Sequence, residues 1–165
     1  MTAWVRECGG FVDKFIGDAM LVVFGLFDTG GTSPGGVGHA ISPSDAGAAA
    51  AIRCALGMQE RLVDLNAVRA GRGQPPFAVS IGIHCGDVLA GTIGAADRHE
   101  YTVIGDAVNV AARLQQLCKE EAQTMLVSDT AYTRARAAGL AVELTRRAAV
   151  TLRGRREPIA VFQKT

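Results

Sequence analysis

Apolar and polar positions along this chain change their period several times, and each change marks an element. Two short apolar-rich runs, residues 11–15 and 20–24, flank Ile16-Gly17-Asp18, which predicts a tight hairpin. Residues 28–43 are rich in Gly, Ser, Thr and Pro and contain Gly30-Gly31 and Gly35-Gly36, which predicts a flexible surface loop within one domain. Ser44-Asp45 then offers an N-cap to a helix reaching about Val68, with Ile52, Leu56, Leu62 and Leu65 on one face. Residues 69–76 break the pattern. Residues 77–83 read as a strand and residues 88–93 as its hairpin partner, across Cys85-Gly86-Asp87. After a loop at 94–99 and a strand at 100–104, Gly105-Asp106 opens a helix to about Glu121, with Asp106 as its N-cap. Ala107, Val110, Ala111, Leu114, Leu117 and Cys118 form the buried stripe of that helix. A strand at 125–127, a helix after Ser128-Asp129 and closing strands at 141–144 and 159–163 complete the pass. Hairpins and helices mix without strict alternation, which predicts an α+β sheet with helices packed on one face.

Composition narrows the function classes. The 165 residues suit one domain, large enough to build an ordinary core. Seventeen Lys and Arg stand against sixteen Asp and Glu, so no general field draws nucleic acid or an anionic membrane. Phosphate recognition would rest on a few placed cations. Cys8, Cys54, Cys85 and Cys118 form no CxxC pair and read as small buried thiols of a reducing compartment. The longest apolar stretch outside the alanine run, residues 19–27, is about half the ~20 residues a spanning helix needs. These features predict a cytoplasmic segment without direct membrane contact.

Three features carry candidate chemistry. Asp18, beside Gly17 at the predicted hairpin tip, projects a carboxylate that suits a hard cation, and equally suits a plain turn. Lys14 lies in an apolar strand, either snorkelling at an edge or reaching into a polar pocket. Asn109 and Arg113, at i and i+4, share the helix face opposite the apolar stripe. A planar guanidinium there suits a phosphoryl group gaining charge, and a solvated polar face has the same spacing. A P-loop enzyme is excluded by the lack of any GxxxxGK[ST] pattern. No GGDEF-type segment occurs either.

Four segments together go further: residues 9–25 with KFIGD inside them, SIGIHCG at 80–86, YTVIGDAVNVAARL at 101–114, and LRG at 152–154. In this order they resemble the catalytic domain of class III nucleotidyl cyclases, of the adenylate-cyclase type. The resemblance implies a single catalytic domain over residues 1–165 with a ferredoxin-like, palm-type mixed sheet. It implies that Asp18 binds metal, that Lys14 recognises adenine, and that Thr102, seven residues before Asn109, is the second purine-selecting position. Lys with Thr implies ATP, since guanylate cyclases typically place Glu and Cys there. Asn109 would orient the ribose and Arg113 would stabilise the transition state, while Arg153 or Arg155 would contact the triphosphate.

The implied reaction converts ATP to 3′,5′-cyclic AMP and pyrophosphate with two Mg2+ or Mn2+ ions per site, for intracellular signalling. The site would lie at the interface of a head-to-tail homodimer, so that Lys14 and Asp18 of one chain serve different sites. The family's other metal-binding aspartate lies on an upstream strand with the pattern FxDIxGFT, and nothing before Cys8 resembles it. Asp13 should project from the opposite strand face and is not expected to substitute. The resemblance therefore implies a fragment with its N-terminal strand and helix missing, Met1 to Val5 falling in the helix before the hairpin. Such a fragment is expected to show exposed apolar surface, unpaired edges and poor turnover. The alternative is a non-catalytic nucleotide-binding or dimerising regulatory domain.

Overall fold

The structure, a computed structural model, describes residues 1–26, 38–95, 98–153 and 157–164, with backbone alone for 94, 95, 98 and 99. Helix α1 (Thr2–Glu7) leads into strands β1 (Phe11–Ile16) and β2 (Ala19–Val23), joined as expected at Gly17-Asp18. Gly17 has φ +63°, a left-handed conformation that glycine adopts without steric cost. Next come β3 (His39–Ile41), α2 (Asp45–Ala70), β4 (Ile81–Ile83), β5 (Val88–Ala95), β6 (Arg98–Ile104) and α3 (Asp106–Glu120). The chain closes through β7 (Met125–Ser128), α4 (Asp129–Ala137), β8 (Thr145–Arg146) and β9 (Val161–Gln163). The mixed α+β class is as expected.

Several expectations give way to tertiary pairing. Residues 28–43 are not loop throughout: His39–Ile41 is a strand that pairs with β5, while 28–37 lie outside the described residues. Strand β5 is not the hairpin partner of β4. It pairs with β3 and β6, whereas β4 runs parallel to β7 in a second sheet ordered β4-β7-β9-β8. A parallel pair needs a long crossover, which a local reading of turn residues does not detect. Residues 77–80 stay outside the strand, and the expected strand at 141–144 gives way to Thr145–Arg146. The N-cap of α3 is Gly105 and not Asp106, which lies in its first turn.

Nor are the helices confined to one face. In β4 successive side chains alternate: Ile83 packs into the core with Ile52 of α2 and Ala131 and Ala135 of α4. Gly82 faces the other way, where a Cβ would stand 2.4 Å from the Ala111 carbonyl oxygen and the Gln115 nitrogen of α3. The four-stranded sheet is thus covered on both sides, and all four residues of β7 are buried. On the α3 side, Val110 and Leu114 pack with Leu152 and Val161. The apolar stripe expected of α3 holds its buried core at Val110, Leu114 and Cys118.

Helix α2 starts as expected, with Ser44 Oγ accepting from the Gly47 N–H at 2.9 Å. Its apolar face holds only for the first half. Ile52 is buried, but Val63, Leu65 and Val68 are exposed, and the last buried residue of the helix is Met58. The far end is braced instead by Asn66, which exchanges two hydrogen bonds with the Phe77 backbone at 2.8 and 2.9 Å. At the near end Trp4 of α1 fits over Gly57 and donates to the Cys54 carbonyl at 2.9 Å. Val5, Met20, Val22, Phe24 and Ile81 join that cluster, so β2 and β4 approach one another there without pairing. Among the described residues β2 is bonded only to β1, and β4 only to β7. No described helix is long and apolar enough to cross a membrane.

The four cysteines are free; Cys54 and Cys118 are buried, and Cys8 and Cys85 partly so. Burial pushes Cys54 up to about 12, with the neighbouring Cys8 adding to it, and Cys85 up to about 11. Cys118 is raised by burial as well. All three therefore hold protons more tightly folded than unfolded, where the ordinary value is 9.0. Their contribution to stability is complete below that value and lost as pH climbs toward the folded values. The urea midpoint, followed by Trp4 fluorescence, is expected to fall between about pH 8 and about pH 10.5. A midpoint that stays level would contradict this burial of the thiols.

Candidate functional site

The hairpin, β6 and α3 carry the candidate residues. In β1 the pairing with β2 slips by one residue: Val12 opposes Val22 but Lys14 opposes Leu21, so Asp13 is the extra residue of a β-bulge. Strict alternation would send Asp13 and Lys14 to opposite faces. The bulge instead brings Asp13 Oδ2 to 3.8 Å from Lys14 Nζ. Lys14 Nζ also lies 3.6 Å from Glu100 Oε1 on β6. Two residues further along β6, the Thr102 hydroxyl donates to the same Asp13 Oδ2 at 2.9 Å. Lys14 and Thr102, 88 residues apart in sequence, thus converge on one carboxylate.

Burial grades this cluster. The Asp13 side chain has no exposed surface, Lys14 is 30% exposed and Glu100 61%. Thr102 is buried. A partly exposed cation is therefore held between two carboxylates, one fully buried and one exposed. The sequence expectation for Asp13, that it does not substitute as a metal ligand, is silent on this position beside Lys14 and Thr102. The signal that reveals it is the slip in register, which becomes visible only when both strands are paired.

The other candidates sit apart from this cluster. Asp18 is exposed at the hairpin tip. It fits as a single hard-cation ligand on rigid backbone. Among the described residues no three His, Cys, Asp or Glu side chains gather to hold a metal alone. Such a donor set fits an ion shared with substrate phosphates. Asn109 is exposed and Arg113 half-buried on α3, and no hydrogen bond or ion pair of the described residues joins either to Lys14, Thr102 or Asp18. Arg153 is exposed, and Arg155 lies outside the described residues. A separate depression of about 560 Å3 is lined by His84, Asp87, Asp106 and Thr130, among others, and by none of the candidates.

The chain is similar to known proteins in sequence and in fold. The sequence matches the adenylate and guanylate cyclase catalytic domain over residues 12–164. It is 38% identical over 130 residues to an adenylate cyclase of Anabaena cylindrica, which covers 76% of this chain and 22% of that protein. The chain thus spans about a fifth of that relative's length. Among solved structures, the adenylyl cyclase CyaB of P. aeruginosa superposes with a TM-score of 0.79 at 24% identity, over 98% of this chain and 74% of that one. The guanylyl cyclase Cya2 superposes with a TM-score of 0.75 at 29% identity, over 99% and 73%. By sequence over nearly its whole length, and by fold, the chain belongs to the adenylate and guanylate cyclase catalytic domain family.

Proposed function

We propose that this chain is the catalytic domain of an adenylate cyclase, forming 3′,5′-cyclic AMP and pyrophosphate from ATP in the cytoplasm. The observation that carries the reading is the convergence of Lys14 and Thr102 on Asp13, which sets two groups able to read a purine edge side by side. In the reaction the ribose 3′-oxygen bonds to the α-phosphorus, the bond from that phosphorus to the bridging oxygen breaks, and pyrophosphate leaves. The proton of the hydroxyl passes to water. Asn109 holds the ribose, and Arg113 meets the charge that grows on the phosphoryl oxygens as the bridging bond lengthens. Arg153 or Arg155 holds the triphosphate. Asp18 supplies a carboxylate for Mg2+ or Mn2+, two ions acidifying the hydroxyl and holding the phosphates when bound.

The site forms between two copies arranged head to tail, Asp18 of one facing Lys14, Thr102, Asn109 and Arg113 of the other. Two features support this. Among the described residues no hydrogen bond or ion pair joins Asp18 to the α3 pair, and Phe15, Ile16 and Ile104 on β1 and β6, with Leu89 and Ile93 on the neighbouring β5, expose apolar surface. Apolar side chains gathered in this way mark a surface that binds another protein.

Asp18 is the one metal carboxylate among the carried-over positions, so the 165-residue chain is expected to turn over ATP slowly. That same observation favours the second reading, a domain that binds nucleotide and dimerises without catalysis. Cyclic AMP formed by the purified chain with Mn2+, measured beside sedimentation with and without nucleotide, separates the two. Slow, dimer-dependent formation of cyclic AMP supports the first; nucleotide binding without any product supports the second. Failure to bind ATP in either state would refute both, and rapid turnover would show that no second carboxylate is needed.

A further inference from the structure

The buried carboxylate of Asp13 is unexplained by any role given so far. Its side chain has no exposed surface, yet Oδ1 has no hydrogen-bond partner among the described residues. A buried acceptor left in this way costs stability, and the full burial of an ionised group costs more unless partners compensate. Lys14 alone at 3.8 Å is a loose partner, and Glu100 shares it. The short contact of Asp13 is the one to Thr102, at 2.9 Å.

That contact decides what Thr102 can offer. A threonine hydroxyl has one proton to donate and two lone pairs to accept with. A carboxylate only accepts. The proton in the Thr102–Asp13 bond is therefore the threonine's, and while it is held there Thr102 Oγ1 has only acceptor capacity left. Lys14, an ammonium, has only donors. The pair thus presents one donor and one acceptor in fixed order.

An adenine edge presents the complementary order, an acceptor at N1 and a donor at the 6-amino group. Guanine presents the reverse, a donor at N1 and an acceptor at the 6-oxygen. A threonine free to rotate would serve either base, by donating to the 6-oxygen or accepting from the 6-amino group. Thr102 tethered to Asp13 serves only the amino group.

We propose that Asp13 is a specificity-determining positioning residue, which holds the Thr102 proton and so makes the site select a 6-aminopurine over a 6-oxopurine. The inference rests on the reading of Lys14 and Thr102 as the pair that faces the base. Asp13 acts through Thr102 and need not touch the nucleotide.

The test measures dissociation constants of 3′-deoxy-ATP and 3′-deoxy-GTP with Mn2+; both lack the attacking hydroxyl, so turnover does not enter. The unaltered chain is expected to favour the adenine nucleotide at least about tenfold, the discrimination of one good donor–acceptor pair. In Asp13→Leu, close in size but without any acceptor for the Thr102 proton, this ratio is expected to fall about tenfold. Thr102→Val should lose the ratio in the same way, Thr102→Ser should keep it, and Asp13→Leu added to Thr102→Val should change it no further. A merely structural role would weaken both nucleotides equally. An unchanged ratio in Asp13→Leu overturns the proposal and leaves the base-facing pair standing, Asp13→Ala being read in the same way if that variant does not fold, whereas an unchanged ratio in Thr102→Val removes Thr102 from the pair and the proposal with it. An unaltered chain that binds both nucleotides alike, or neither, removes the base-facing pair and the proposal with it.

Discussion

Gly82→Ala is expected to destabilise the chain by about 3 kcal/mol, the upper range for overpacking a tight interface. The added Cβ would stand 2.4 Å from the Ala111 carbonyl oxygen and 2.4 Å from the Gln115 nitrogen. Both are backbone atoms of α3, so no side-chain rotation relieves the clash and the helix must shift as a body. That shift would loosen Val110 and Leu114, which are fully buried, from Leu152 and Val161. A loss of this size lowers the thermal midpoint of a chain this long by roughly 6–12 °C. Gly71→Ala is the control: its φ is −61°, its nearest neighbours stand at 3.6 and 3.8 Å, and the change should stay within about 0.5 kcal/mol. If thermal melts show both variants alike, the close approach of β4 to α3 is wrong.

Arg113→Ala is expected to lower the rate of cyclic AMP formation about a hundredfold, the usual effect of removing one donor aimed at developing charge. Affinity for 3′-deoxy-ATP should change less than about threefold, because the interaction is made with the transition state and not the ground state. Arg113 sits one turn beyond Asn109 on α3, with the buried Val110 and Leu114 anchoring the adjoining face. Its side chain is therefore positioned by a helix whose core is fixed. Lysine at 113 should not restore the rate, since a point charge lacks the planar fork that meets two phosphoryl oxygens together. Equal losses in rate and in binding would reassign Arg113 to holding the ground-state phosphates.

Which parts of this were legible in the chain itself follows from the range of the interactions. The turn at Gly17-Asp18, the Ser44 cap and the stripe of α3 are set by neighbours within a few residues, and each stands where local pattern put it. The motif residues were legible as well, through their fixed order along the chain. The partner of β4, the strand at His39–Ile41 and the second covered face of the sheet depend on pairings across long separations. The half-exposed course of α2 also escaped, since an apolar residue carries no record of whether anything lies opposite it.

By itself, then, the sequence determined which residue types are available and where the short-range elements begin and end. Taken singly the candidate residues suit plain structural roles as well, and it is the ordered resemblance of four segments that suggests a nucleotide cyclase. Only the tertiary structure decided what these groups are able to do. The slip of one residue in β1 turns Asp13 inward beside Lys14, and the approach of β6 sets the Thr102 hydroxyl against it across 89 residues of chain. A hydroxyl has no preferred direction until something takes its proton. Here that partner comes from a bulge, and a bulge exists only where two strands are already paired.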